Sequence, residues 1–453
     1  MDLQGKKVLV IGCGKSGIGA AGLLEAAGAV PVLYDGNTEL NQEELKEKAG
    51  LSEKTQIVLG EVPDALLKEI SLAAVSPGVP VDTPFIERFR AAGIPVWGEV
   101  ELAWHYGRGR VIAITGTNGK TTTTTLVGEI MKQCFPSVFV VGNIGTPYTG
   151  EALKMREDSV TVAEISSFQL ETTETIHPAV SAILNITPDH LNRHHTMENY
   201  AAVKEAVTKN QTKEDFCILN YEDDRLAKFG GKCPAQVIWF SSKRKLERGY
   251  YLDGDVICRN LGQGREELLN VHEMNLLGVH NYENVMAAIA VSAAFGAPME
   301  RILSVVKSFR AVEHRIEYVA VKKGVVYYND SKGTNPDAAI QGIKAMRWPT
   351  LLIGGGYDKG SDYDEWIEAF DGKVKLLVLI GQTREKIADC AKKHGLQDVV
   401  LADSLEEAMD ICVANARPGD AVLLSPACAS WGMFPNYEVR GQMFKDYVNG
   451  LEE

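Results

Sequence analysis

Lys120 is the residue whose neighbours best equip it for chemistry. It lies in the stretch Val111-Ile-Ala-Ile-Thr-Gly116-Thr117-Asn118-Gly119-Lys120-Thr121-Thr122. An apolar run leads into a loop carrying two glycines, and Lys-Thr opens a helix-like segment. A strand entering such a loop aims several backbone N–H groups into one concavity, and the next helix adds the positive end of its dipole. From there Lys120 reaches the outer phosphates of a nucleotide, and the Thr121 hydroxyl reaches a magnesium ion. The spacing departs from the common G-x-x-x-x-G-K-T loop, whose first glycine would fall where Ile114 stands. A tight strand-to-helix turn with a solvent-facing lysine is the plainer alternative.

Other polar clusters also follow apolar runs. Asn143 follows 137–141, Glu164 lies near the end of 160–165 with Ser166 just after it, and His190 follows 180–186. Strands of one buried parallel sheet would bring these ends to one edge, where ligands bind. Lys204 lies on an expected helix from Glu198 to Asn210, where composition alone makes it a solvated lysine. The His190, His194, His195 spacing invites a zinc reading, but no cysteine or H-E-x-x-H pattern accompanies it. Near the start, Gly12-Cys13-Gly14-Lys15-Ser16-Gly17 followed by Asp35 reads as a dinucleotide fingerprint. The expected ligand is a pyrophosphate, with NAD and a UDP-sugar both open. Asn281 and Asn284 share one side of a helix's first turn, serving either as caps or as contacts to a nucleotide base. Asp330, Lys332 and Thr334 follow another strand pair. Cys428 lies in a late loop with Ser430 and reads as a packed cysteine, because no histidine partner is fixed for it.

Strand-like runs alternating with helical stretches predict an α/β protein. Three domains are expected: 1–98 Rossmann-like, 99–311 with a P-loop ATPase-like parallel sheet, and 312–453 Rossmann-like. A length of 453 residues suits two to four domains. The net charge of -13 argues against a nucleic-acid partner. The eight cysteines include no C-x-x-C pair, which suggests a reduced, cytosolic protein. The early strand leaves no room for a signal peptide, and no apolar run approaches the roughly 18 residues of a membrane span.

The motifs together resemble the Mur ligase and folylpolyglutamate synthetase superfamily. The resemblance is carried by Gly116-Thr-Asn-Gly-Lys-Thr-Thr122, Glu164-Ile-Ser-Ser-Phe168, Asn185-Ile-Thr-Pro-Asp-His190, His280-Asn-Tyr-Glu-Asn284 and His314-Arg315. Asn329-Asp-Ser-Lys-Gly-Thr334 and Ser425-Pro-Ala-Cys-Ala-Ser430 resemble the D-glutamate-adding branch, and the Asp-Asn-Pro-Arg motif of the diamino-acid-adding relative is missing.

The resemblance implies a bacterial cytoplasmic enzyme of peptidoglycan precursor synthesis, expected as a monomer. ATP, D-glutamate and UDP-N-acetylmuramoyl-L-alanine would be its substrates, and an acyl phosphate its intermediate. It further implies that Gly116–Thr122 hold the ATP phosphates, and that Thr121 and Glu164 belong to one Mg²⁺ site. His190 and Lys204, the latter carbamylated, belong to a second. Asn284, Arg315 and Asp330 would contact the nucleotide. Asn143 and Ser166 would contact the muramoyl group, and Gly14, Ser16 and Asp35 the UDP end. Lys332, Thr334, Lys359, Ser430 and Tyr437 would surround the glutamate. Tyr437 stands where the family has Phe, and Gly36-Asn37 where some members have Thr-Arg. A folylpolyglutamate synthetase-like ligase, an NAD(P)-dependent oxidoreductase and a noncatalytic nucleotide-gated binding protein are the alternatives.

Overall fold

Apolar strands punctuated by glycine turns build three sheets among the described residues, 2–52, 55–310 and 313–452, of this computed structural model. The expected boundary between Ala311 and Val312 lies outside the described residues. The first sheet contains β1 (Lys7–Ile11), β2 (Val30–Asp35), β3 (Gln56–Leu59), β4 (Ile70–Val75) and β5 (Val96–Gly98). Its order is β3-β2-β1-β4-β5, and every pairing is parallel. Alternation puts Val8 and Val10 in one apolar cluster and Leu9 and Ile11 in another, so both faces of β1 are covered. The chain runs to one side of β1 and then to the other. This is the switch point where α/β sheets open a crevice, and the Gly12–Gly17 turn sits there.

The second sheet holds β6 (Arg110–Thr115), β7 (Val138–Gly142), β8 (Val160–Glu164), β9 (Val180–Ile183), β10 (Phe216–Asn220), β11 (Gln236–Ser241), β12 (Gly249–Asp253), β13 (Val256–Asn260) and β14 (Arg265–Asn270). Their order is β14-β13-β12-β11-β10-β9-β6-β8-β7. Strands β6 to β11 pair in parallel, as expected, while β12 and β13 add an antiparallel hairpin at the Asp253-Gly254 turn. β6 lies between β8 and β9, so the loop after it opens between two neighbouring strand ends. β9 stops at Ile183 rather than Ile186, because Asn185 leaves the ladder to bond Asn118. The helix expected to reach Asn210 runs Met197–Glu205, then tightens to a 3₁₀ turn at Ala206–Thr208.

The third sheet holds β15 (Glu317–Lys322), β16 (Val325–Asn329), β17 (Thr350–Gly355), β18 (Val374–Ile380), β19 (Val399–Leu401) and β20 (Ala421–Leu424). Its order is β15-β16-β20-β17-β18-β19. Only β15 is antiparallel, joined to β16 through Lys323 and Gly324, both at positive φ as a tight hairpin turn requires.

The chain packs as two compact units. One runs through Leu269 and includes Glu283–Val306; the other comprises Asn270–Tyr282 and the chain from Lys307 onward. Within the first unit, the helix Glu99–Tyr106 locks the first two sheets together. The buried Glu99 accepts from the Thr149 amide and hydroxyl at 2.8 and 3.0 Å. The buried Glu101 accepts from the amides of Glu174, Thr175 and Ile176. Breaking such a join leaves a buried carboxyl or amide unpaired, which costs about 1–3 kcal/mol per group. Among the described residues no helix is long and apolar enough to cross a membrane.

Candidate active site

The loop after β6 turns on two glycines at positive φ, Gly116 (144°) and Gly119 (85°). A Cβ on Gly119 would stand 2.1 Å from the Asn284 side-chain oxygen, so conformation and space both demand glycine. The helix Lys120–Cys134 starts at this turn with no side-chain cap, leaving its first amides directed at the concavity. The loop after β9 braces the turn. Thr117 N–H donates to the Asn185 carbonyl at 2.9 Å, Asn118 N–H to Asn185 Oδ1 at 2.8 Å, and Thr117 Oγ1 to the Thr187 carbonyl at 3.1 Å.

Two amines meet at this turn. Lys120 folds back to donate to the Gly116 and Thr117 carbonyls at 3.0 and 2.8 Å. Lys204, 1% exposed, donates to the same Gly116 carbonyl at 2.8 Å. Burial, reinforced by the Lys120 ammonium, pushes its amine down to about 7. The solvated lysine suggested by composition is therefore a core residue, with its Nζ 4.7 Å from the Tyr200 ring centroid.

At the adjoining strand ends, Glu164 is 1% exposed. Asn143 Nδ2 donates to its Oε1 at 2.7 Å, and its Oε2 is buried without a hydrogen-bond partner. A buried carboxylate oxygen left without a donor is suited to a cation. A hard divalent ion such as Mg²⁺ fits the oxygen donors offered by Glu164 and Thr121. Ser166 caps the short helix Ser167–Leu170, exchanging hydrogen bonds with Gln169. His190 sits at φ 50° on the exposed rim, its ring 4.8 Å from that of Phe168. His194 is buried against Ser167 and Glu171 and His195 bonds Asp82, so these histidines face different partners.

The first unit thus brings Gly116–Thr122, Asn143, Glu164, Ser166, His190, Lys204 and Asn284 to one edge of the second sheet. Gly14, Ser16 and Asp35 gather at the first sheet instead. There a Cβ on Gly17 would overlap the Gly12 carbonyl at 1.8 Å, so close helix packing fixes that glycine. Asp35 bonds backbone amides through both oxygens, Cys13 N–H to Oδ2 at 2.9 Å and Asn37 N–H to Oδ1 at 3.0 Å.

The second unit assembles Arg315, Asp330, Lys332, Thr334, Lys359, Ser430 and Tyr437 around the carboxyl ends of β16, β17 and β20. Asp330 is buried and accepts from Ser425 Oγ at 2.7 Å and Ile316 N–H at 3.2 Å; burial lifts its carboxyl to about 6. Lys332 Nζ lies 5.6 Å from the Tyr437 ring centroid, and Lys359 Nζ 4.9 Å from that of Trp431. Arg440, unremarked in the sequence, is fully buried and ties the two loops by donating to Ser331 and to the Cys428 carbonyl. Cys428 is buried beside Tyr363 and Thr383 hydroxyls, and burial raises its thiol above the ordinary range. It is a packed cysteine, as expected.

Sequence reasoning passed over Tyr200 and Arg193 as well, and it quoted Phe168 only as part of a motif, with no role. Tyr200 reads as an ordinary aromatic, and nothing in the local pattern marks a partly buried arginine.

Residues 6–98 match the Mur ligase MurD-like N-terminal domain, 114–292 the Mur ligase middle domain, and 314–428 the Mur ligase glutamate ligase domain. A UDP-N-acetylmuramoylalanine--D-glutamate ligase of Lachnospira eligens is 61% identical over 451 residues, covering 100% of both chains. Proteins of the same name from Lachnoclostridium phytofermentans and Clostridioides difficile are 58% and 45% identical, again over 100% of both chains. Among solved structures, the UDP-N-acetylmuramate-alanine ligase MurC of Thermotoga maritima superposes with a TM-score of 0.59 at 19% identity, covering 98% of this chain and 99% of that one. MurF ligase of Thermotoga maritima, in complex with ADP, gives 0.59 at 18% identity over 99% and 96%. At such identities the likeness concerns the fold.

Proposed function

Because the chain belongs to the Mur ligase family, we propose that it is the ATP-dependent ligase that joins D-glutamate to UDP-N-acetylmuramoyl-L-alanine in peptidoglycan precursor synthesis. The observation that carries this reading is end-to-end identity of 61% to a relative bearing that name. The geometry of the loop ends supports it.

A carboxylate is a poor electrophile and must be activated before an amine can attack it. The Gly116–Thr122 amides and Lys120 hold the β- and γ-phosphates of ATP, and the alanyl carboxylate attacks the γ-phosphorus. The P–O bond to ADP breaks, leaving an acyl phosphate. The free amine of D-glutamate attacks its carbonyl carbon and loses a proton. The tetrahedral intermediate then expels phosphate to leave the amide. Lys120, at the phosphate-loop turn, offsets charge that develops in the phosphoryl transfer. Asn284, packed on Gly119, acts at the phosphate end of the nucleotide. Arg315 and Asp330 serve the nucleotide as well, while Lys332 and Lys359 attract the glutamate carboxylates, with Thr334, Ser430 and Tyr437 completing that pocket.

Thr121 and Glu164 would hold one Mg²⁺, and His190 with Lys204 a second; the ions would neutralise phosphate charge. The lowered amine of Lys204 supports the second site. A neutral amine adds CO₂ and releases a proton, turning a cation into a carbamate anion suited to a metal. Asn143 and Ser166 face the muramoyl group, and Gly14, Ser16 and Asp35 the UDP end. The helix that follows Gly14 has no side-chain cap, and an uncapped helix N-terminus suits a pyrophosphate.

The experiment is ADP release with UDP-N-acetylmuramoyl-L-alanine against a panel of D- and L-amino acids. Turnover restricted to D-glutamate is expected. Equal turnover with folate acceptors, or none without nicotinamide, would replace this reading.

A further inference from the structure

The turn Leu191–His194 is flanked by two non-glycine residues at positive φ, His190 (50°) and His195 (66°). Backbone of this kind persists only where surrounding contacts hold it. Here a single side chain gathers the contacts. The Arg193 side chain is 11% exposed and pairs with Glu171, Nη2 to Oε2 at 2.6 Å. The same Nη2 donates to the Val79 carbonyl at 2.9 Å. Its Cζ lies 5.0 Å from the Phe168 ring centroid, and that ring also neighbours His190 at 4.8 Å and His194 at 5.7 Å. Val79 belongs to the loop after β4 in the first sheet. Ser76 of that loop donates to the Gly12 carbonyl at 3.2 Å, tying it to the glycine turn. His195 adds a second tie, Nε2 to Asp82 Oδ2 at 2.9 Å. One guanidinium therefore touches the ligand-facing loop of the first sheet, the segment after β8, and the ring that supports His190. A planar fork is well suited to meet a carboxylate, a carbonyl and an aromatic face together.

We propose that Arg193 is a positioning residue that sets His190, through Phe168, according to where the 76–82 loop of the first sheet sits. This rests on the reading of His190 as a residue of the reacting edge. Seating of the nucleotide-sugar in the first domain then governs the phosphoryl-transfer geometry without Arg193 touching either substrate.

The test is steady-state kinetics of R193M, R193K, H190A and the double variant H190A/R193M. R193M is expected to lower kcat by about tenfold or more and to raise KM for UDP-N-acetylmuramoyl-L-alanine, with KM for ATP unchanged. R193K keeps a charge on Glu171 without the fork to Val79; it is expected to fold as the wild type does and to show the same split at smaller amplitude. The double variant is expected to be no slower than H190A, because both changes act through one side chain. Losses that multiply in the double variant, or R193K kinetics equal to wild type, would overturn the proposal. Wild-type turnover by H190A would overturn the reading of His190 itself, a different failure, and the coupling with it.

Discussion

Replacing Lys204 by methionine keeps an unbranched stem and removes a charge from the interior. Lys204 is 1% exposed, and its amine is lowered from 10.5 to about 7, chiefly by burial. That difference disfavours the charged form by about 5 kcal/mol. Below about pH 7 both folded and unfolded chains carry the proton, and the whole penalty opposes folding. Between about 7 and 10.5 the unfolded chain holds a proton that the folded chain lacks, so stability rises with pH. Above that window both forms are neutral and the penalty is gone. At pH 7 the remaining penalty is about 4 kcal/mol. Losing the bond to the Gly116 carbonyl returns about 1 kcal/mol of it, and no acceptor is orphaned because Lys120 still donates there.

K204M is therefore expected to be more stable than wild type by about 3 kcal/mol at pH 7, while losing about a hundredfold or more in ligase rate. Urea unfolding of both proteins in CO₂-free buffer at pH 7 and pH 9 reads the effect. The gap between them is expected to narrow by about 2 kcal/mol at the higher pH. A gap that stays constant would refute the buried amine and, with it, the physical basis for carbamylation.

Three further substitutions test other parts of the site. Lys120→Ala is expected to reduce ADP formation by about a thousandfold with an unchanged circular dichroism spectrum, because Asn185, Thr187 and Lys204 still brace the loop when the bonds from Lys120 are lost. Gly119→Ala forces a Cβ to within 2.1 Å of Asn284 Oδ1 at φ 85°, so KM for ATP measured by initial rates is expected to rise by about tenfold. Cys428→Ala removes a buried thiol that is held in its neutral form. Its kcat is expected to stay within about threefold of wild type, with a stability loss of about 1 kcal/mol in urea.

The elements were largely legible because their signals are local. Gly116 and Gly119 mark a turn that other residues enter only with strain, and the apolar runs before Asn143, Glu164 and His190 are short and cleanly bounded. The common edge followed from parallel pairing of strands that each end in a polar cluster. What escaped the sequence depends on tertiary burial. Lys204 lies on a helix of weak amphipathic pattern, and only the fold shows its amine against the Gly116 carbonyl. Asp35 matches a ribose-binding acid by spacing, and only the fold shows that it also bonds one amide of the glycine turn, Cys13, and one of its own turn, Asn37. Asn284 could be a cap or a base contact on sequence grounds, and packing sets it beside Gly119. Arg193 and Arg440 look like surface cations until their partners, far away in the chain, are known. The hairpins at the sheet edges qualify the parallel expectation because edge strands tolerate either direction.

The mixed anhydride itself leaves an isotopic trace. UDP-N-acetylmuramoyl-L-alanine labelled with ¹⁸O in its alanyl carboxylate is incubated with ATP, magnesium, D-glutamate and the enzyme, and the released phosphate is weighed by mass spectrometry. One ¹⁸O per phosphate is expected, since the carboxylate oxygen that attacked phosphorus departs with it. Peptide formed alongside unlabelled phosphate would mean that the carboxylate is activated in some other way.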